Sequence, residues 1–310
     1  MVRVVSTSSL PIDLAAQLPD ARVEVPNEWR GIANIDLADA DALVCLLLDR
    51  IDAALIARAP RLRAIANCAV GYDNVDLAAA TRAGIAVTNT PDVLTEATAE
   101  LTFALILAAA RRLPEADAMV RGQHWPGWRL DQLLGVQLHG KTLGVIGLGR
   151  IGKAVVRRAE GFGMRAIWAD PQAPESRSID EVFATADVVS LHCPLTPETR
   201  HVVDAERLAR MKPSAILVNT ARGGCVDEHA LIAALHAGRI FAAALDVFEH
   251  EPKIDPRFYD CPRLVLAPHI GSATTEARTQ MAQLCADAVI DVLAGRRPAN
   301  LVNREVVIRG

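Results

Sequence analysis

The sequence predicts an α/β protein of two doubly wound domains, each built on a parallel sheet. Three observations carry this. Strand-like and helix-like segments alternate almost throughout the 310 residues. The strand-like ones, such as ALVCLLL and RLVLAPH, are apolar runs rather than alternating patterns, which suits strands covered on both faces in a parallel sheet. The chain is 51% hydrophobic but only 4% aromatic, so it can fill two cores, and with aliphatic side chains.

Taken in order, VRVVST, RVEVP, ALVCLLL, LRAIANC and IAVTNT read as strands of a first domain. IDAALIARA and NVDLAAATRAG are helical stretches between them, the latter closing on a glycine as a helix C-terminus favours. After Pro91 a long helical pattern, DVLTEATAELTFALILAAARRL, is apolar on most sides, which predicts burial between domains or subunits. RGQHWPGWRLDQLLGVQLHG is irregular. A second series then opens: KTLGVIGLG, MRAIWAD, ADVVSLHCP, AILVNTA, IFAAALDVF and RLVLAPH, six strands with helical connections. EARTQMAQLCADAVIDVLAG is again helical, and LVNREVVIRG reads as a tail. The expected division is discontinuous: residues 1–92 with 274–310, and residues 93–273, the final helix crossing back onto the first domain and a cleft lying between the two.

A net charge of −4 argues against a general basic field for nucleic acid or an anionic membrane. The longest apolar stretch, LTFALILAAA, falls far short of the roughly 20 residues that span a bilayer. MVRVVSTSSLPIDL lacks the apolar core and small-residue cleavage site of a signal peptide, so the expected location is cytoplasmic. The six cysteines are scattered, with no C-x-x-C and no grouping with histidine. They read as small reduced core thiols, and no metal site is expected.

LGVIGLGRIGKAVVRRAEGFGMRAIWAD contains G-x-G-x-x-G at Gly147, Gly149 and Gly152. The pattern alone is weak. Here it follows a strand, opens a helix and leads to a second strand ending in Asp170, the context a dinucleotide fingerprint requires. Gly147 permits the tight turn, Gly149 lets backbone approach the pyrophosphate, and Gly152 allows close helix–strand packing. The helix N-terminus then binds phosphate. Asp170 stands where a carboxylate accepts from both ribose hydroxyls and repels a 2′-phosphate. NAD is therefore expected ahead of NADP, with Arg177 further along the loop as the one feature favouring NADP.

The last three strands of the second domain each lead into a charged candidate. NTARGG places Arg222 just past one strand, ALDVFEHEP places Glu251 beyond the next, and APHIGS places His269 after the last. Carboxyl ends of strands border the ligand crevice of an open α/β sheet. Hydride chemistry on a 2-keto acid needs a cation for the carboxylate, an acid for the carbonyl oxygen, and a carboxylate that orients the acid. Arg222, His269 and Glu251 fill those roles in that order.

VIGLGRIG, NTARGGCVDEHAL, ALDVFEHEP and LAPHIGSAT strongly resemble the D-2-hydroxyacid dehydrogenase family, and the match runs over essentially the whole chain. AVGYDNVDL, TNTPDVLTEATAEL and LVNREVV look most like its glyoxylate and hydroxypyruvate reductases. The resemblance implies a Rossmann NAD-binding domain with a flavodoxin-like substrate domain, and a homodimer built on the former. It implies catalysis by Arg222, Glu251 and His269, and carboxylate contacts from the backbone of Val70 and Gly71. Cofactor contacts carry over to Arg150, Ile151, Cys193, Pro194, Thr199, Thr220, Ala221, Arg222, Asp246 and His269. Trp128, in HWPGW, matches a segment that in some relatives reaches the neighbouring subunit's substrate pocket, with interface packing as the equal alternative; Trp125 reads as interface packing. Two departures stand out: several glyoxylate reductases carry a cationic or hydroxyl residue in place of Asp170, and the loop after Asp170 looks short.

The implied activity is NAD(P)H-dependent reduction of glyoxylate or hydroxypyruvate to glycolate or D-glycerate. D-3-phosphoglycerate dehydrogenase and other D-2-hydroxyacid dehydrogenases are alternatives within the class. An NAD-sensing co-repressor that binds peptides is the non-enzyme alternative. Beside Glu251, Glu249 is expected to be solvated, and the remaining histidines to be structural or surface residues.

Overall fold

The computed structural model describes residues 1–26, 29 and 31–308, which divide into two compact units, Met1–Leu94 with Ala273–Gly310, and Thr95–Ser272. In the first, strands β1 (Val2–Ser6), β2 (Ala21–Glu24), β3 (Ala42–Cys45), β4 (Ala64–Asn67) and β5 (Ala86–Thr88) form one sheet in the order β2-β1-β3-β4-β5. Every pairing is parallel. Helices α1 (Leu14–Gln17), α2 (Ala53–Ala57) and α3 (Leu77–Arg82) connect these strands. The central strands β3 and β4 are buried throughout, as apolar runs covered on both faces must be.

In the second unit, α4 (Thr95–Ala110) and α5 (Leu113–Arg121) precede β6 (Thr142–Ile146), α6 (Arg150–Gly161), β7 (Arg165–Ala169), α7 (Ile179–Thr185), β8 (Val188–Leu191), α8 (Ala205–Arg210), β9 (Ile216–Asn219), α9 (Glu228–His236), β10 (Ala242–Leu245) and β11 (Leu264–Leu266). Its six strands are ordered β11-β10-β9-β8-β6-β7, again all parallel. From β6 the chain goes outward to β7, then returns to the other side of β6 with β8. That reversal makes β6/β8 the switch point of the sheet, where the crevice of such folds opens. The last helix, α10 (Thr275–Leu293), belongs to the first unit. It buries Cys285, Ala286, Val289 and Val292 in one cluster with Val4, Val44 and Ala66.

Most helices begin with a short polar side chain that closes the first turn. Asp52 accepts from Leu55 N, Asp76 from Ala79 N, Ser178 from Glu181 N, Asp227 from Ala230 N, and Thr274 from Ala277 N. Each such cap is worth about 1 kcal/mol.

The single long helix expected after Pro91 is divided. α4 ends at Ala110, Arg112 adopts φ 52°, and α5 restarts with a proline in its first turn. Pro114 has no N–H to continue the helix, which accounts for the break. One face of α4 enters the core: Ala99, Phe103, Ile106 and Ala110 share one cluster with Val145, Val155, Val218 and Ala244. α5 buries no side chain. The connection after Asp170 holds α7 before β8.

Candidate active site

The glycine turn lies at the switch point. Gly147 takes φ +94°, and a Cβ there would meet Cys193 N at 2.7 Å, so the turn after β6 packs directly on the turn after β8. A Cβ on Gly152 would stand 2.3 Å from Gly147 O, whereas one on Gly149 would meet nothing within 4 Å. Gly147 and Gly152 are thus required by packing, and Gly149 keeps a surface open. α6 starts at Gly149 with no side-chain cap. Among the described residues, the N–H groups of Ile151 and Gly152 meet no acceptor. Where a capped helix commits its third N–H to a side chain, α6 leaves that of Gly152 open as well, at the positive end of the dipole, which is what a pyrophosphate needs.

Asp170 follows β7. Its Oδ2 accepts from Leu148 N at 2.7 Å and its Oδ1 from Gln172 N at 2.8 Å. These bonds fix the carboxylate beside the glycine turn, each oxygen retaining a lone pair for a sugar hydroxyl. Arg177, the feature that favoured NADP, pairs with Glu181 at 2.7 Å. The residues present fit a dinucleotide.

Three strand ends supply the charged residues, and a chain of contacts brings them together. Glu251 uses both oxygens: Oε1 accepts from Phe248 N at 2.8 Å, and Oε2 lies 2.7 Å from His269 Nδ1. The carboxylate is therefore tied to its own turn and to the imidazole at once. His269 itself has φ 54°, a conformation that is sterically costly for a non-glycine residue and needs outside support. Asp246 supplies it. Its carbonyl accepts from His269 N at 2.8 Å, and its carboxylate accepts from Ile270 N at 2.7 Å and Gly271 N at 2.8 Å. Burial pushes the Asp246 carboxyl up from its ordinary range, while the Ile270 N–H, the His269 charge and the Gly271 N–H act to keep it ionised. Thr98 on α4 donates to Gly271 O at 3.1 Å.

Arg222 sits in the turn after β9. A Cβ on the next residue, Gly223, would fall 1.9 Å from the Phe248 carbonyl carbon, so this turn abuts the one that Glu251 closes. Arg222 Nη1 donates to Ala221 O at 2.8 Å. Asn219, fully buried, shapes the turn: Nδ2 donates to Arg222 O at 2.9 Å and Oδ1 accepts from Ala221 N at 3.0 Å. Asn219 was not among the sequence candidates. Its signal was an asparagine at a strand end before a glycine pair, which is turn chemistry. Thr102 on α4 was missed as well. It is buried, and its Oγ1 lies 2.9 Å from that of Thr220; nothing in a long apolar helix marks one threonine as a partner for a distant loop.

Other candidates fall around the same strand ends. Cys193 is buried against Cys225, whose thiol together with burial pushes it up. Pro194 O accepts from Thr199 Oγ1 at 2.6 Å, closing the loop after β8. Trp128 is 80% exposed and Trp125 56% exposed. Glu249 departs from expectation. It is half-buried rather than free in solvent, and accepts from Arg200 and from His201, each at 3.0 Å. Its N–H donates to the buried Glu228 at 2.8 Å. Glu249 thus braces the turn from behind while Glu251 serves its front.

In the first unit, Val70 and Gly71 lie just after β4. Their carbonyls accept from Asn89 Nδ2 and Asn67 Nδ2, each at 2.8 Å. Among the described residues, neither N–H meets an acceptor. No group of three or more metal-ligating side chains occurs among the described residues.

Residues 103–271 match the family model described as D-isomer specific 2-hydroxyacid dehydrogenase, NAD binding domain. The chain is 50% identical over 291 residues to a glyoxylate reductase of Thermococcus litoralis, covering 90% of this chain and 88% of that one. It is 51% identical over 284 residues to a glyoxylate reductase of Aeropyrum pernix, covering 87% and 84%. Among solved structures, a protein of Thermus thermophilus superposes with TM-score 0.92 at 45% identity, over 97% of this chain and 100% of that one. An NADPH-dependent glyoxylate/hydroxypyruvate reductase of Sinorhizobium meliloti, in complex with NADP and malonate, superposes with TM-score 0.88 at 32% identity, over 100% and 98%. Likeness at this level over nearly the full length extends well beyond the nucleotide fold. The chain belongs to the D-isomer specific 2-hydroxyacid dehydrogenase family.

Proposed function

We propose that this protein is an NAD(P)H-dependent glyoxylate reductase, with NADH the favoured cofactor and hydroxypyruvate a second substrate. The observation that carries the reading is the 2.7 Å contact between His269 Nδ1 and Glu251 Oε2, beside the Arg222 turn. It supports an imidazole whose other nitrogen, Nε2, is aimed by a fixed carboxylate. The relatives named glyoxylate reductase supply the substrate.

A dinucleotide held at the glycine turn and Asp170 would supply hydride to the keto carbon. The guanidinium of Arg222 holds the substrate carboxylate through paired N–H donors, as a planar fork does better than an ammonium. His269 Nε2–H gives its proton to the carbonyl oxygen, and Glu251 balances the positive charge the imidazole carries beforehand. The reading also assigns the Val70 and Gly71 N–H groups to the substrate carboxylate, and the backbone or side chains of Arg150, Ile151, Cys193, Pro194, Thr199, Thr220, Ala221 and Asp246 to the cofactor. Asp170 is the basis for preferring NADH.

A homodimer is part of the reading. Leu113, Val120, Trp125, Trp128, Leu130 and Leu134 all lie exposed along α5 and the segment after it, an apolar concentration of the kind interfaces cover. Trp128 is assigned to that interface. A cytoplasmic location is supported by six free cysteines, as expected where thiols stay reduced. No helix among the described residues is long and apolar enough to cross a membrane.

The test is oxidation of NADH and of NADPH in parallel with glyoxylate, hydroxypyruvate and phosphohydroxypyruvate. Turnover of the first two with NADH supports the reading. Activity on the phosphorylated acid alone would reassign the protein to D-3-phosphoglycerate chemistry. Tight NADH binding without turnover would favour a sensor.

A further inference from the structure

The loop holding Val70 and Gly71 is set by buried side-chain amides. Asn67, the last residue of β4, is fully buried. Its Nδ2 donates to Gly71 O at 2.8 Å, and its Oδ1 accepts from Asn74 Nδ2 at 3.1 Å and lies 3.6 Å from the Cys45 thiol. The Asn74 amide also donates to Leu46 O at 3.2 Å and Asp49 O at 3.0 Å, which ties the turn after β3 to the loop after β4. On the other flank, Asn89 Nδ2 donates to Val70 O at 2.8 Å, and Asn300 Nδ2 donates to Asn89 O at 2.6 Å. The carbonyls of both loop residues are thus engaged by amides, while neither N–H meets an acceptor among the described residues.

We propose that Asn67, seconded by Asn89, is a positioning residue for substrate carboxylate recognition: by holding the Gly71 and Val70 carbonyls it fixes the turn in which both N–H groups are left to bind an anion. This rests on the assignment of those N–H groups to the substrate carboxylate. The polarity of the Asn67 amide matters as much as its shape. An isosteric aspartate would set a carboxylate oxygen against the Gly71 carbonyl, acceptor against acceptor, and the turn would have to rotate away. A buried donor that loses its partner carries the full desolvation penalty, so the amide has no cheaper arrangement.

The experiment compares wild type with Asn67→Asp and the milder Asn89→Ala, reading KM and kcat for glyoxylate, inhibition by oxamate as an unreactive keto-acid mimic, and NADH affinity by fluorescence. The expected result for Asn67→Asp is a rise of about tenfold or more in both KM and the oxamate inhibition constant, with NADH affinity unchanged. Asn89→Ala, which removes one anchor only, is expected to raise both several-fold and serves if the aspartate variant does not fold. A merely structural role would lower melting temperature and leave KM unmoved, and that outcome overturns the proposal while the reductase reading stands. Absence of keto-acid turnover by the wild type overturns the reductase reading, and this assignment with it.

Discussion

Replacing Glu251 with glutamine tests the contact between its carboxylate and the His269 imidazole. Glu251 Oε1 holds Phe248 N and Oε2 holds His269 Nδ1, so a glutamine that keeps the first bond must turn its NH2 toward the ring. His269 Nδ1 then becomes an acceptor and the ring a neutral tautomer, a poor proton donor to a carbonyl oxygen. A hydrogen bond to a charged partner is worth about 1.5–3 kcal/mol, and two charges about 4 Å apart attract by about 4 kcal/mol near a protein surface. The side chains are 26% and 14% exposed, so solvent screens part of this. A loss of about 2–3 kcal/mol remains, or roughly 30- to 150-fold in kcat/KM. The assay is glyoxylate-dependent NADH oxidation at neutral pH, with NADH affinity measured in parallel. Affinity for the cofactor is expected to hold, since Glu251 faces the imidazole and its own turn. A variant within twofold of wild type would refute the reasoning, as would a rate loss matched by an equal loss of NADH binding.

The glycine turn separates packing from ligand approach. Gly147→Ala, whose Cβ would strike Cys193 N at 2.7 Å from a positive φ, is expected to lower the melting temperature by several degrees along with cofactor affinity. Gly149→Ala, with nothing within 4 Å, is expected to melt as wild type does while NADH binding weakens about tenfold or more. Asp170→Ser removes the carboxylate beside the turn. The ratio of kcat/KM for NADPH over NADH should rise at least about tenfold, since a like-charge clash costs several kcal/mol; an unchanged ratio would assign cofactor choice elsewhere. His192 gives a pH prediction. Burial lowers it from its ordinary value to about 3, its Nε2 lies 2.8 Å from Ser190 Oγ, and its Nδ1 has no partner among the described residues. The unfolded chain therefore takes the proton first, so the stability is present above about pH 6.5 and is lost as pH falls toward 3, at about 1.4 kcal/mol per unit. Urea midpoints between pH 7 and pH 5 should show this slope, and His192→Gln should lack it.

The layers of the fold were legible because strands of a parallel sheet are apolar on both faces, and β3, β4, β8, β9 and β10 are buried along their whole length. The boundary inside the long helix was not, since Leu101–Leu113 is continuously favourable to helix and only the proline that follows marks the stop. At the site, the fingerprint glycines and the three charged residues carry signals in sequence because each is rare in its position. Asn219 carries only the local signal of turn chemistry, and Thr102 carries none, because its role lies in a bond to a residue made its neighbour only by the fold: Thr102 meets Thr220 across 118 positions. Glu249 was misjudged for the same reason, its partners Arg200 and His201 lying almost fifty residues away. Local pattern reports burial and turn chemistry well. It does not report which buried polar group will find which partner.

The most direct test of the account is the initial rate of NADH oxidation with glyoxylate, measured side by side for wild type and His269→Ala. Steady turnover is expected of the wild type, and a loss of about a hundredfold or more in the variant, well beyond any loss of NADH affinity. A variant that turns over at the wild-type rate would show that the imidazole held by Glu251 is not the proton donor, and would contradict the mechanism at its centre.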